Sequence, residues 1–176
     1  MESAIGEQAL DDLCEIAASA PAGALVEFGV WKGGSAVRLA EVARAKGQPL
    51  YLYDTFCGIP YADPGMGDSH RVGDFGDTSE QAVRELIPDA IVSAGVFPAS
   101  LVKMPPIGFV HVDADQYESV RSACEVFPQL MVNGGVMVFD DFGCLLGADR
   151  AVLEHFSDFE RTRFGKALVR VHGLAR

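Results

Sequence analysis

Apolar and polar positions alternate with two different periods along the chain, and the change of period predicts helices and strands in turn. Helical spacing predicts helices over residues 8–18, 35–46, 79–86, 117–127 and 148–159. Short apolar runs predict strands over residues 24–28, 50–53, 91–96, 107–112 and 136–139. Because helices alternate with strands that are apolar on both faces, we expect an α/β fold whose mostly parallel sheet has helices on both sides.

The last part of the predicted sheet differs from the rest. Residues 160–171 contain two β-prone pieces around Gly165-Lys166. A parallel return needs a crossover of roughly a dozen residues, which this short connection cannot supply. The two pieces can therefore pair only as an antiparallel hairpin, which argues against a nicotinamide-binding Rossmann domain, since that fold would close on a further parallel strand.

Composition limits the kind of protein and its partners. The 176 residues carry 14 Lys+Arg against 25 Asp+Glu, a formal net charge of −11, and the length predicts one domain over residues 1–176. This charge argues against nucleic acid and anionic membrane surfaces as partners. No apolar run approaches a membrane span, the N-terminus does not resemble a signal peptide, and four dispersed cysteines suggest reduced thiols. We expect a cytoplasmic protein whose oligomeric state is open, a homodimer included.

A glycine-containing loop follows the first predicted strand and precedes the second predicted helix. Glycine allows the sharp turn and lets a ligand approach the backbone, while the helix N-terminus offers free N–H groups. The loop departs from G-x-G-x-x-G because Trp31 occupies the middle position, which disfavours a closely packed pyrophosphate. An ordinary strand-to-helix turn is the alternative interpretation.

An acidic residue ends the second predicted strand. Asp54 follows Gly29 by 25 positions, where a carboxylate in such a fold accepts hydrogen bonds from ribose hydroxyls. Asp54 could instead cap the turn over residues 55–58. The glycine loop and the acid together favour a nucleoside ligand.

Four further acids follow the next two central strands. Asp113 and Asp115 come after the fourth strand, and Asp140 and Asp141 come after the fifth. Consecutive parallel strands joined by one crossover usually lie side by side, so these carboxylates should meet at one edge of the sheet. They would repel one another unless a cation neutralised them, and hard oxygen ligands suit Mg²⁺. Asp115 could instead cap the helix that begins near Tyr117.

Two other features have more than one interpretation. His111 alternates with Asp113 and is interpreted as a packed histidine rather than a metal ligand. The segment 60–76 lacks periodicity and is too long for an ordinary connection, so it is either a lid over the cleft or a mobile loop.

Four segments resemble the macrocin O-methyltransferase (TylF-like) family of class I S-adenosylmethionine-dependent methyltransferases. They are residues 26–35 (VEFGVWKGGS), 54–60 (DTFCGIP), 112–119 (VDADQYES) and 134–142 (GGVMVFDDF). The resemblance covers roughly residues 24–145. It implies a Rossmann-like class I methyltransferase fold, with a mostly parallel seven-stranded sheet and a C-terminal antiparallel hairpin. It also implies Mg²⁺-dependent transfer of a methyl group from S-adenosylmethionine to a hydroxyl of a small molecule, typically on a natural-product sugar.

The resemblance also implies roles for particular residues. The cofactor would be bound by Glu27, Phe28, Gly29, Val30, Gly33, Ser35, Asp54, Thr55 and Phe56. Glu27, Gly29 and Ser35 would hold its methionine portion, and Asp54 would hold its ribose. The metal ligands would be Asp113, Asp140 and Asp141, and either Asp113 or Asp115 would take the proton. Related catechol-type enzymes have a lysine base where this chain has Gln116, which argues against that mechanism.

Two other function classes compete with this one. The chain is shorter than members of the family usually are, so the substrate pocket is the part that the resemblance defines least. A non-catalytic or partner-dependent S-adenosylmethionine-binding module is one alternative. An NAD-dependent oxidoreductase is the other, and both Trp31 and the terminal hairpin argue against it.

Overall fold

The computed structural model describes residues 5–172, and at its centre is a seven-stranded sheet in the order β3-β2-β1-β4-β5-β7-β6. The strands are β1 (Ala24–Phe28), β2 (Leu50–Asp54), β3 (Ile91–Ala94), β4 (Ile107–Val112), β5 (Met131–Phe139), β6 (Glu160–Arg161) and β7 (Ala167–Val171). Strands β1 to β5 pair in parallel, whereas β7 is antiparallel to both β5 and β6. The predicted class I methyltransferase architecture, including its terminal hairpin, is confirmed.

Helices cover both faces of the sheet. Within the described residues they are α1 (Glu7–Ser19), α2 (Gly34–Lys46), α3 (Glu80–Leu86), α4 (Tyr117–Val126) and α5 (Leu146–His155), with 3₁₀ turns at Pro64–Met66 and Phe127–Leu130. Apolar side chains of α1, α2 and α3 form one core with one face of the sheet, and those of α4 and α5 form a second core with the other face.

The strands are buried on both faces because their side chains point alternately into the two cores. Along β1, Leu25 enters the core beneath α1 and α2, whereas Val26 enters the core beneath α4 and α5. Every residue of β1 and β4 is buried. This explains why these strands are nearly continuous apolar runs in the sequence, and why Glu27 and His111 are conspicuous exceptions.

The start of β5 and the end of α5 differ most from the sequence predictions. Strand β5 begins at Met131, before the predicted start at residue 136, and continues through Gly134 and Gly135. Gly134 has φ 78°, and the pairing of β4 with β5 shifts between Ile107 and Phe109, so the glycines form an irregularity inside the strand. Helix α5 ends at His155, before its predicted end, because Phe156 turns to extended backbone and its ring packs against Phe139.

The topology creates a crevice beside β1. The chain passes from β1 to β2 and β3 on one side, and then returns to β4 and β5 on the other side. Ligands of doubly wound folds bind outside the carboxyl ends of the strands at such a switch point. Among the described residues, no helix has both the length and the apolar character that crossing a bilayer requires.

Candidate active site

A pocket opens at the carboxyl ends of the central strands, where the topology predicts a crevice. Most of the predicted cofactor residues line it, namely Phe28, Gly29, Val30, Ser35, Asp54 and Thr55. The other three lie outside its wall. Gly33 precedes α2 as its N-terminal cap, Phe56 is buried in the core beneath α1 and α2, and Glu27 is fully buried within the sheet.

Asp54 organises the loop that forms the floor of this pocket. Its Oδ2 accepts hydrogen bonds from the backbone N–H groups of Val30 and Trp31, at 2.7 and 2.9 Å. Its Oδ1 accepts the Phe56 N–H at 2.7 Å. The carboxylate therefore ties the glycine loop to the end of β2 and also stabilises the following turn, as the capping interpretation expected. Asp54 also lines the pocket, so it can hold the loop and the turn in place and still accept a hydrogen bond from a ribose.

The acids after β4 and β5 come together as predicted. Asp113, Asp140 and Asp141 each offer one carboxylate oxygen, and the three oxygens lie within 4.8 Å of one another. Three carboxylate oxygens this close together suit the ligand set of one hard cation such as Mg²⁺. Asp113 also lines the pocket, which joins this cluster to the pocket wall.

The electrostatics of the cluster also fit a cation. Burial and the neighbouring carboxylates of Asp141 and Asp140 hold the pKa of Asp113 well above its usual range. Burial is also the main cause that raises the pKa of Asp141 to about 6. Carboxyl groups forced together in this way retain protons until a positive charge offsets their repulsion. The donor set of three carboxylates is the chemistry that a hard divalent cation requires.

The pKa of Asp140 is shifted in the opposite direction from that of Asp113 and Asp141, because two cationic side chains flank Asp140. Burial would raise the pKa of Asp140, but His111 and Lys166 hold it below its ordinary value. The Lys166 ammonium donates to the Asp140 backbone carbonyl and lies 3.2 Å from its Oδ2. Burial opposes a charge on His111, yet the adjacent Asp140 and Glu27 carboxylates raise the pKa of His111 to about 10.

Asp115 does not cap helix α4, so the capping interpretation is wrong. Residue Gln116 precedes the helix and makes no side-chain cap, and the Tyr117 N–H donates to Asp68 Oδ1 at 2.8 Å instead. Asp115 has φ 57°, an uncommon left-handed conformation that turns the carboxylate-bearing residue into the pocket wall. Its own N–H donates to Asp141 Oδ2 at 2.9 Å. Burial, followed by the Asp141 and Asp140 charges, raises the pKa of Asp115 to about 8.

The segment 60–76 contributes side chains to the wall of the pocket, as the lid interpretation expects, and it is called the lid below. Together with its preceding residues, it adds Ile59, Pro60, Tyr61 and Phe75 to the pocket wall. Ile59 exchanges backbone hydrogen bonds with this segment, since its N–H donates to Asp74 O and its carbonyl accepts the Gly73 N–H. These hydrogen bonds join the end of the lid to the residue that precedes its start.

Two side-chain contacts fasten the lid to the rest of the site. Asp68 accepts the first N–H of α4, as described above. At the other end, the Trp31 indole N–H donates to Asp77 Oδ1 at 2.7 Å, and the Trp31 ring packs edge-to-face against Phe75. The glycine loop and the lid thus share Trp31, which also lines the pocket.

Sequence reasoning missed the histidine that the lid brings to the acids. His70 Nε2 lies 3.5 Å from Asp115 Oδ1, and the His70 ring packs against Phe75. It also missed Lys166, which the turn of the terminal hairpin brings to Asp140. The sequence spacing around His70 or Lys166 does not indicate a functional role. Each residue contacts an acid that is far away in the sequence, and only the fold of the intervening chain brings the two together.

Comparison with known proteins identifies relatives of the chain. The family model described as macrocin-O-methyltransferase (TylF) matches residues 2–164. Demethyldecarbamoylnovobiocin O-methyltransferase of Streptomyces niveus is 28% identical over 157 residues, covering 78% of this chain and 60% of the relative. A Streptomyces olivaceus protein, 8-demethyl-8-(2,3-dimethoxy-alpha-L-rhamnosyl)-tetracenomycin-C 4'-O-methyltransferase, is 29% identical over 163 residues, covering 78% and 61% respectively. The chain thus spans about 60% of the length of these relatives.

Solved structures share the fold. The O-methyltransferase NovP superimposes with a TM-score of 0.80 at 23% identity, covering 97% of this chain and 82% of NovP. The O-methyltransferase TomG from Streptomyces achromogenes, in complex with SAM, superimposes with a TM-score of 0.61 at 15% identity, covering 97% of this chain and 82% of TomG. At these identities the comparisons establish the architecture of the chain.

Proposed function

Because the chain belongs to the macrocin-O-methyltransferase (TylF) family, we propose that it transfers a methyl group from S-adenosylmethionine to a hydroxyl of a small molecule, with the help of Mg²⁺. The observation that carries this proposal is the continuity of the glycine-loop pocket with the carboxylate cluster through Asp113. A cofactor pocket alone would suit many reactions. A cofactor pocket joined to a cation site suits transfer to a hydroxyl that must lose a proton.

The pocket wall offers matching groups for the cofactor. Ser35 lies in the first turn of α2, where its hydroxyl and the free N–H groups of the helix would bind the methionine carboxylate. Asp54 would accept a hydrogen bond from a ribose hydroxyl, and the apolar side chains of Val96 and Phe97 would cover the adenine. TomG, which shares the fold, was solved with SAM, which supports this choice of cofactor.

Asp113, Asp140 and Asp141 would hold the cation. Bound there, Mg²⁺ would lower the pKa of the acceptor hydroxyl and orient its oxygen. Asp115 would accept the hydroxyl proton as the oxygen–methyl bond forms and the carbon–sulfur bond of the cofactor breaks, leaving a neutral thioether. We favour Asp115 over Asp113 as the base because Asp113 belongs to the three-carboxylate cluster, whereas Asp115 lines the same pocket without belonging to that cluster.

A hydroxyl on a natural-product sugar is the acceptor we propose. The names of the two relatives describe O-methylation of demethyldecarbamoylnovobiocin and of the 4' position of a rhamnosyl tetracenomycin. In this chain, the acceptor side of the pocket combines the apolar Ile59 and Pro60 with the hydroxyls of Tyr61 and Ser119, which lie 3.3 Å apart. Such a mixed surface suits a sugar ring with both C–H and O–H groups.

Methyl transfer to a panel of glycosylated aromatic and polyketide acceptors tests this proposal. We expect turnover with S-adenosylmethionine and Mg²⁺, and a fall of at least about 100-fold either with EDTA or in Asp113→Ala, since cation catalysis typically contributes several kcal/mol. Asp89→Ala, in an exposed ion pair with Arg44, is the matched control and should retain full activity. Turnover that survives both EDTA and Asp113→Ala would refute the metal requirement.

The same measurements separate the alternative functions. Binding of S-adenosylhomocysteine without transfer to any acceptor would favour a partner-dependent binding module. Binding of NAD instead of S-adenosylhomocysteine would favour an oxidoreductase. The antiparallel β7 argues against that second alternative.

A further inference from the structure

Three neighbouring strands place a row of ionisable side chains on one face of the sheet, underneath the proposed cation site. Glu27 of β1 pairs in register with His111 of β4, and His111 pairs with Val138 of β5. Asp140 follows Val138 by two positions and therefore lies on the same face. The row runs from Glu27 through His111 to Asp140.

His111 lies between the two carboxylates of the row, with one ring nitrogen facing each. His111 Nδ1 lies 3.0 Å from Glu27 Oε1, within hydrogen-bond distance. The other ring nitrogen, Nε2, lies 4.0 Å from Asp140 Oδ1. Glu27 and His111 are both fully buried, and neither Glu27 Oε2 nor His111 Nε2 has a hydrogen-bond partner among the described residues. Glu27 thus fixes the ring so that its free nitrogen faces Asp140.

Stability alone does not account for the pair. Desolvating a carboxylate and an imidazole costs free energy, and apolar side chains of similar volume usually replace a buried ion pair with little loss or with a gain. The neighbours of the pair on this face, Leu25, Leu52 and Phe109, are apolar and form an ordinary core. A role other than packing would explain why two ionisable groups occupy this position.

We infer that Glu27 and His111 are positioning residues that hold the Asp140 carboxylate in the orientation needed to bind the cation, and that Glu27 does not hold the cofactor. Partners behind a metal ligand orient it, and their loss typically weakens metal affinity about 10- to 100-fold. Lys166 holds the opposite oxygen of Asp140, so the carboxylate is flanked on both sides. The inference rests on the proposed cation site, and it replaces the cofactor role that the family resemblance implied for Glu27.

A paired substitution tests the inference without leaving a buried charge alone. In Glu27→Leu/His111→Leu both partners become apolar, so we expect the melting temperature to be retained. We expect S-adenosylhomocysteine affinity to stay within about threefold of wild type, and Mg²⁺ affinity, measured by calorimetry with S-adenosylhomocysteine present, to fall about tenfold or more. The Mn²⁺ electron paramagnetic resonance spectrum should change as well, because a misplaced ligand alters the coordination. His111→Gln, which keeps a donor between the two carboxylates, should lose less affinity than the double variant.

Two controls make the outcome decisive. Asp140→Ala should abolish Mg²⁺ binding, and if it does not, the proposed cation site itself is wrong. If Asp140→Ala loses Mg²⁺ but the double variant and His111→Gln both bind it like wild type, only the positioning role is refuted. A loss of S-adenosylhomocysteine affinity of tenfold or more, with Mg²⁺ affinity unchanged, would return Glu27 to the cofactor and overturn the inference.

Discussion

Gly29 is the residue at which the glycine loop after β1 approaches the acidic turn after β4. Its φ is 91°, and a Cβ built there would lie 1.7 Å from the carbonyl oxygen of Asp113. The glycine loop after β1 and the acidic turn after β4 therefore touch through their backbones. No side chain can be accommodated between them, so this glycine fixes the distance between the cofactor loop and the cation cluster.

Substituting Gly29 should be far more damaging than substituting a glycine that only needs a left-handed conformation. Gly47, which ends α2 with φ 63°, has nothing within 4 Å of a built Cβ and is the matched control. We expect Gly47→Ala to cost about 1 kcal/mol, a few degrees in melting temperature. Gly29→Ala should lower the melting temperature by at least about 10 °C, since the backbones must separate. Equal melting temperatures for the two variants would contradict this account of the loop.

The lid is an element whose position depends on a few polar anchors. Asp68 accepts the Tyr117 N–H with Oδ1 and the Asp63 N–H with Oδ2, at 2.8 and 2.9 Å. One carboxylate therefore caps the N-terminus of α4 and also holds the fold of the lid itself. A negatively charged residue is favourable here because the N-terminus of a helix carries partial positive charge.

Removing this anchor should release the lid without unfolding the sheet. In Asp68→Ala we expect amide hydrogen exchange across residues 60–76 and at the Tyr117 N–H to accelerate about tenfold or more, because hydrogen bonds to charged groups contribute roughly 1.5–3 kcal/mol. Exchange in β1 and β4 should stay unchanged. Asp89→Ala serves as the exposed control. Unchanged protection of residues 60–76 in Asp68→Ala would show that other contacts hold the lid.

Across the whole molecule, the buried acids link folding stability to pH and to the cation. The pKa of Asp115 is raised to about 8 and that of Asp141 to about 6, both mainly by burial. Between the ordinary carboxyl pKa and these values, the folded protein binds more protons than the unfolded chain. Stability must then fall as pH rises through this range. His111, with a pKa raised to about 10, acts in the same direction between its ordinary value and pH 10.

Metal-free protein in EDTA should therefore be less stable at pH 8.5 than at pH 6, by several kcal/mol. Mg²⁺ offsets the repulsion, so the rise in melting temperature that it causes should grow as pH rises. Asp141→Asn removes one charge but keeps an oxygen for the Asp115 N–H, and its metal-free stability should depend less on pH. A metal-free stability that increases from pH 6 to pH 8.5 would contradict the proposed crowding of the carboxylates.

The amino-acid sequence was sufficient for the order of elements, the parallel sheet with its terminal hairpin, and the convergence of Asp113, Asp140 and Asp141. These features follow from local periodicity, from the length of a connection, and from the rule that neighbouring parallel strands end at one edge. Each depends on residues near in sequence or on a general rule of topology, so none requires the path of a particular loop.

The orientation of individual side chains required the tertiary structure. A helix cap was one of two interpretations of Asp115, but Asp68 from the lid, 49 positions from Tyr117, takes that role. The family resemblance implies that Glu27 holds the cofactor, and only the tertiary structure shows that its carboxylate lies beside His111, 84 positions away. Such pairs form when distant segments pack together. Local spacing carries no information about them, because the packing of the whole chain selects which polar groups are buried against each other.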